Sequence, residues 1–305
     1  MSAPKPVVAI GDGIIDIVQT SNAPPALYPG GAALNLAVGL ARLGVPSVLA
    51  GRIGLDRNGC RLMRYLREEG VKLINTPNAD FTGVATSRRR DGEPSYDFTP
   101  SLYRRRIGFN ATLLTAIAEA PAVAVNSFSY GDARQSEALC DALRAAKGLK
   151  ILDPNFRPRL IVDLKAFREG FERTSPQATL VKLSDEDARL LYQRDDDGLA
   201  ATFFERGVEV VLLTRGKVGA SVFTRSGLSV AAPATSLAAP IVDTMGAGDA
   251  TLASVIAFIL SKGMPHDTEA WRACLKQAMD IAAATCRSAG GALVRPASGG
   301  RDLRE

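Results

Sequence analysis

The sequence predicts an α/β fold: a three-layer sandwich with a mostly parallel central sheet flanked by helices, plus a small β-sheet lid. Three observations predict it. Short, wholly apolar runs recur along the chain and alternate with helical patterns about 10 to 15 residues long. Runs of that kind are buried on both faces, which requires helices on each side of the sheet. Two turn-rich segments, 14–29 and about 81–105, break the rhythm and alternate like exposed strands.

The elements follow in order. Val7 to Ile10 is an apolar run closed by Gly11, a buried first strand. Residues 14–29 supply the first half of the lid. Leu34 to Leu43 and Gly59 to Glu69 carry the helical period. Residues 81–105 supply the second half, with Thr82-Gly83-Val84-Ala85-Thr86 alternating. Ala122 to Val125, Lys150 to Leu152 and Val208 to Leu213 repeat the character of the first strand, and Thr179 to Leu183 is a weaker example. Gln135 to Lys147 and Glu186 to Tyr192 lie between them as helices, so the connections read as right-handed crossovers between parallel strands. Asp195-Asp196-Asp197-Gly198 reads as a solvated loop at a helix end, and Ala250 to Leu260 as an apolar helix. No repeat or low-complexity linker divides the chain, so residues 1–305 form a single domain with a lid.

Composition narrows the function classes. A chain of 305 residues with 46% apolar content buries a sizeable core without disulfides or a structural metal. The net charge of +5 suits anionic ligands, but it is too dispersed for a nucleic-acid stripe. Cys60, Cys140, Cys274 and Cys286 show no metal-ligand spacing and read as reduced thiols. His266 is the single histidine, which excludes a multi-histidine metal site, and no G-x-S-x-G elbow accompanies it. Pro4 and Pro6 interrupt any signal-peptide layout, and the longest apolar stretch, 252–260, is too short to span a bilayer. A cytoplasmic protein that engages no membrane and no nucleic acid is expected.

The sharpest local feature is Asp243-Thr244-Met245-Gly246-Ala247-Gly248-Asp249, directly before the apolar helix. Small residues at 246–248 let the backbone turn tightly and leave its N–H groups uncovered. A helix starting there points partial positive charge at whatever docks, which suits a transferring phosphoryl group. Asp249, in the first turn, is placed to accept a proton from a substrate hydroxyl. Equally, it is a favourable acidic residue for a first turn. A second loop, Gly30-Gly31-Ala32-Ala33-Leu34-Asn35, also opens a helix. Its glycines permit close approach by a ligand and Asn35 offers a donor and an acceptor to a sugar hydroxyl; the plainer reading is a strand-to-helix turn. There is no Walker A pattern, no complete dinucleotide fingerprint after Gly11-Asp12-Gly13, and no H-R-D. Two basic runs, Arg88-Arg89-Arg90 and Arg104-Arg105-Arg106, fall in or beside the lid. They read either as attractors for an anionic substrate or, more simply, as solvated charges guarding a sheet edge.

Together these residues carry a resemblance. The Gly30-Gly31 loop with Asn35, then Ala41-Arg42-Leu43-Gly44, then Asp243-Thr244-x-Gly246-Ala247-Gly248-Asp249, resembles the ribokinase-like (PfkB-type) sugar kinases over essentially the whole chain. Asp153-Pro154-Asn155-Phe156-Arg157-Pro158, Val181 to Asp187 and Ser288-Ala289-Gly290-Gly291 are similar to bacterial fructokinases within that family. The resemblance implies Asp249 as catalytic base, with the Gly246, Ala247 and Gly248 amides as anion hole and Arg157 near the sugar and the transferred phosphate. It implies Asp16, Gly30, Gly31, Asn35 and Phe98 as sugar contacts. Lys182, Ser184, Thr214, Gly216, Gly219 and Asp280 then border the nucleotide, and Asp187 holds Mg²⁺ through water.

Three stretches depart from the family pattern. Ser184-Asp185-Glu186-Asp187 stands where many members have Asn-x-x-Glu, and Asp280 stands where an asparagine often borders the base. After Tyr96-Asp97-Phe98 the chain runs Thr99-Pro100-Ser101-Leu102-Tyr103-Arg104, without the usual sugar-lining pattern. The expected activity is ATP-dependent phosphorylation of a sugar hydroxyl by a fructokinase. The alternatives are a 2-keto-3-deoxygluconate kinase, a ribokinase or nucleoside kinase, and, from another class, a catalytically silent sugar- or nucleotide-binding regulator. The resemblance implies ATP and Mg²⁺ as cofactors and admits a monovalent cation such as K⁺. The expected partners are a small-molecule sugar and ATP, with room for a homodimer clasped through the lid.

Overall fold

A computed structural model describes residues 4–20, 23–76, 81–90, 93–194 and 197–296. The body is a nine-stranded sheet: β1 (Val7–Gly11), β4 (Ser47–Gly51), β5 (Lys72–Asn75), β8 (Ala122–Asn126), β9 (Leu149–Asp153), β10 (Leu180–Ser184), β11 (Val210–Thr214), β12 (Gly219–Thr224) and β13 (Ser229–Pro233). Its order is β13-β12-β11-β10-β9-β8-β1-β4-β5. Pairings from β5 through β11 are parallel, and β12 and β13 add antiparallel. The mostly parallel three-layer architecture is the one expected.

Strand alternation builds two cores. Val7 and Ala9 of β1 face one core, and Val8 and Ile10 face the other. The first core is covered by α1 (Ala32–Arg42), α2 (Arg57–Glu68), α8 (Ala247–Lys262) and α9 (Thr268–Thr285). The second is covered by α3 (Ala111–Glu119), α4 (Ala133–Ala145), α5 (Leu164–Thr174), α6 (Asp185–Tyr192) and α7 (Asp197–Phe204). The expected acidic loop at 195–198 is partly corrected: Asp197 and Gly198 open α7, while Asp195 and Asp196 lie outside the described residues.

The small sheet is β2 (Ile14–Thr20), β3 (Ala23–Gly30), β6 (Val84–Arg90) and β7 (Glu93–Phe98), in the order β3-β2-β6-β7. Residues 100–104 leave it as a 3₁₀ turn that returns to the body, where the Arg52 guanidinium donates to the Ser101 and Arg104 carbonyls. Ile15, on one face of β2, is fully buried in the first core.

Helix starts differ in a way that matters for function. The starts of α2, α3, α4, α5, α6 and α9 are capped by the side chains of Asp56, Asn110, Asp132, Asp163, Ser184 and Asp267. Those of α1 and α8 have glycines, Gly31 and Gly246, and no side-chain cap.

Candidate active site

The two uncapped starts meet. Helices α1 and α8 pack closely because Gly39 has no side chain: a Cβ there would sit 3.1 Å from Ala253 Cβ. One turn nearer the helix starts, Asn35 Nδ2 donates to Asp249 Oδ2 at 2.9 Å. The helical repeat of about four residues carries both contacts on one seam, so glycine at 39 sets the spacing that the amide bridges.

Asp249 is only 8% exposed. Burial raises its pKa to about 6, against the Asn35 hydrogen bond and the charges of Lys182 and Arg157. A carboxylate so tuned can accept a proton near neutral pH. Gly246 adopts φ 75°, and a Cβ there would lie 2.0 Å from the Gly291 carbonyl, so only glycine fits. Among the described residues the Gly246 and Gly248 amides donate to no protein acceptor, whereas the Ala247 amide reaches the Thr244 carbonyl at 3.3 Å. The expected three-amide anion hole therefore narrows to two open donors at the positive end of α8.

Lys182, on β10, lies under this turn. A Cβ on Gly248 would be 3.4 Å from its Nζ, which is 2.9 Å from Asp153 Oδ2. Both partners are buried. Burial works against the lysine's charge, but Asp153 and Asp187 hold its pKa above the ordinary value. Asn126 Nδ2 and the Asn155 amide also donate to Asp153, which was not singled out from the sequence.

The small sheet supplies the opposite wall. Register places Tyr28, Asp16, Ala85 and Phe98 in one row across its four strands, so their side chains share a face. Gly30 is required beside Asp16, since a Cβ would meet Asp16 Oδ2 at 1.8 Å. Burial raises the Asp16 pKa to about 7; Arg157 opposes this, and Asp249 and Asp243 add to it. Arg157 is exposed beyond β9, and its charge reaches both Asp16 and Asp249. Gly31, with φ 99°, packs against the Asp12 carbonyl. Gly290 and Gly291 close the remaining side, against the Tyr28 ring and Asn35 respectively.

Other expected residues lie along the same sheet edge or farther out. Thr214 ends β11, and its hydroxyl lies 3.4 Å from the Leu183 carbonyl. Gly216 and Gly219 take positive φ in the turn that follows. Asp280, on α9, accepts from Thr235 Oγ1 at 2.7 Å and Lys276 Nζ at 2.8 Å. Partial burial pulls its pKa up, but these bonds hold it below the usual carboxylate value.

Two expectations are corrected. Ser184 and Asp187 form a capping box at α6, with Asp187 Oδ2 accepting from the Ser184 amide and hydroxyl at 2.9 and 2.6 Å. Asp187 Oδ1 accepts from the Phe156 amide at 2.8 Å and the residue is 2% exposed, so it is spent on structure rather than on a metal shell. Among the described residues no group of three His, Cys, Asp or Glu side chains could hold a metal ion. The basic runs are not simply solvated either. Arg106 pairs with Asp132 and Arg88 with Asp97, while Arg105 is buried against Asp12. The side chains of Arg89 and Arg90 lie outside the described residues.

Known proteins resemble this chain in sequence and fold. The pfkB family carbohydrate kinase profile matches residues 5–297. The chain is 30% identical to a fructokinase of Klebsiella pneumoniae, over 86% of each chain. It is 28% identical to a fructokinase of Salmonella typhimurium, over 95% of this chain and 96% of that one. A fructokinase from Xylella fastidiosa, solved with bound ATP, superposes with a TM-score of 0.81 at 24% identity, covering 95% of this chain and 94% of the other. No helix among the described residues is long and apolar enough to cross a membrane.

Proposed function

Because this chain belongs to the pfkB family of carbohydrate kinases and is a sugar kinase, we propose that it is a fructokinase, transferring the γ-phosphoryl group of ATP to a primary hydroxyl of D-fructose. The observation that carries the reading is the buried Asp249 at an uncapped helix start, bonded to Asn35. The curated relatives named fructokinase support the choice of sugar.

Asp16 and Phe98 hold the sugar from the small-sheet side, and Asn35 fixes the Asp249 carboxylate. Asp249 takes the proton from the accepting hydroxyl as its oxygen attacks the γ-phosphorus in line. The open Gly246 and Gly248 amides and the start of α8 stabilise the charge that develops on the transferred group. Arg157 balances the two carboxylates and meets the phosphoryl oxygens with a planar fork of donors. The edge of β10 and β11, with Lys182 and Thr214, borders the nucleotide. Magnesium enters on the phosphates as part of the substrate, in keeping with the lack of a three-residue ligand set among the described residues. A cytoplasmic location, where ATP is supplied, belongs to the same reading.

The test is Asp249→Asn. Sugar binding by calorimetry stays within about threefold, and turnover falls by about 100-fold to 10,000-fold, the span of a lost general base. Near-parental turnover refutes the mechanism.

A further inference from the structure

We propose that the buried Arg105–Asp12 pair is a specificity element that reads a neutral, hydroxyl-bearing end of the sugar, the end remote from the transferred phosphoryl group. The inference rests on the sugar-kinase reading above and adds the class of sugar that the cleft takes.

Asp12 follows β1, and Ser127 follows β8, the adjacent strand. Arg105 arrives from the stretch that returns from the small sheet. Its Nη1 donates to Asp12 Oδ2 at 2.5 Å and to Ser127 Oγ at 2.9 Å, and Ser127 Oγ donates to Asp12 Oδ2 at 2.9 Å. The three groups close a ring of bonds. Ser127 takes φ 55° to do so, a left-handed conformation that non-glycine residues rarely adopt. Ser129 Oγ also pins the Arg105 carbonyl at 2.5 Å. The Arg105 and Asp12 side chains are 9% and 14% exposed, so this is a built site and not a surface pair.

What the ring leaves open is informative. Among the described residues, Nε and Nη2 of Arg105 and Oδ1 of Asp12 have no protein partner. Arg105 and Asp12 line a pocket with Gly13, Ile14, Arg52 and Gly83, with about 10 Å³ of free space, room for one water-sized group. The pocket sits at the root of the small sheet: Ile14 is two residues before Asp16 on the same face of β2. Gly31 packs against the Asp12 carbonyl, so the pocket adjoins the sugar side of the cleft.

A buried arginine alone selects an anion. Here its charge is already balanced by Asp12, so open donors and an open acceptor oxygen stand side by side. A hydroxyl, which both donates and accepts, satisfies both. The carboxylate of a sugar acid would meet Asp12 at short range and be repelled.

The experiment compares kcat/KM, by ADP release, for fructose, 2-keto-3-deoxygluconate and 1-deoxy- and 6-deoxyfructose. The parent protein favours fructose at least tenfold over the sugar acid, and at least tenfold over whichever deoxy sugar keeps the accepting hydroxyl. In Asp12→Asn/Arg105→Gln, which removes both charges together so that neither is stranded, the deoxy discrimination collapses to within about threefold while the KM for ATP is unmoved. Equal or better use of the sugar acid by the parent overturns the inference, as does undiminished discrimination in the double variant. The parent comparison decides the matter even if the double variant does not fold. No ADP release with any sugar instead removes the kinase reading, and the inference with it.

Discussion

Asn35→Leu tests how the site tunes its carboxylate. Asn35 Nδ2 donates to Asp249 Oδ2 at 2.9 Å. A hydrogen bond to an ionised acceptor contributes about 1.5–3 kcal/mol. At about 1.4 kcal/mol per pH unit, its loss raises the proton affinity of Asp249 by about one to two pH units. Burial already brings that pKa to about 6, so the variant titrates near 7 to 8, and at pH 7 the ionised fraction falls from about nine-tenths to between a half and a tenth. Stability at neutral pH falls with it. Asp249 Oδ2 loses its donor, at a cost of about 1–3 kcal/mol, offset in part because leucine also removes Asn35 Oδ1, which is buried without a partner among the described residues; the Tm therefore drops more at pH 7 than at pH 4. The assay is kcat against pH at saturating sugar, which reports the base in the bound complex. The acidic limb moves to higher pH, and the deficit shrinks above pH 8. A limb that stays in place, with activity scaled equally at every pH, refutes the reasoning.

Gly246→Ala puts a Cβ within 2.0 Å of the Gly291 carbonyl at φ 75°; kcat falls about 100-fold and stability by about 1–3 kcal/mol, read by kinetics and a urea melt. Asp16→Asn bears on pH dependence. The pKa of Asp16 is raised to about 7, so its stabilising contribution is full below about pH 4 and is lost as pH rises through 7. The asparagine variant is therefore more stable than the parent by about 2–4 kcal/mol at pH 8.5 and equal to it at pH 4, with a raised KM for sugar; a Tm difference that is the same at both pH values contradicts this. Lys182→Met strands Asp153 in the core and costs about 3–5 kcal/mol, most of which Lys182→Met/Asp153→Asn recovers in a thermal melt.

Much of this architecture was legible in the sequence, because the same physics acts at both levels. The all-apolar runs at β1, β8 and β11 announce strands buried on two faces, and the glycines at 30, 31 and 246 announce turns that nothing larger fits. Less visible were α9, the edge strands β5 and β13, and β12, which lies between β13 and β11. An edge strand such as Ser229–Pro233 buries only alternate residues, so it lacks the all-apolar run that marks the central strands.

Within the site, Asp249, Asp16 and Asn35 come together from three elements. The partner of each group did not follow from the sequence. Asn35 donates to Asp249 across 214 residues, and Lys182 pairs with Asp153 on the neighbouring strand. Parallel-sheet order decides such pairings, and no local pattern encodes it. The run Arg104-Arg105-Arg106 shows the same limit: three like side chains have three different surroundings, and only Arg105 turns inward. Asp187 erred in the other direction. Its spacing from Ser184 fits a capping box as well as a metal ligand, and the cap won because Phe156 takes the remaining oxygen.

The most direct test of the central claim is ADP release by the purified protein with MgATP against fructose, 2-keto-3-deoxygluconate, ribose and adenosine. Turnover strongly favouring fructose, and abolished in Asp249→Asn, is the predicted result. Absence of turnover with all four, under conditions where the protein binds ATP, contradicts it.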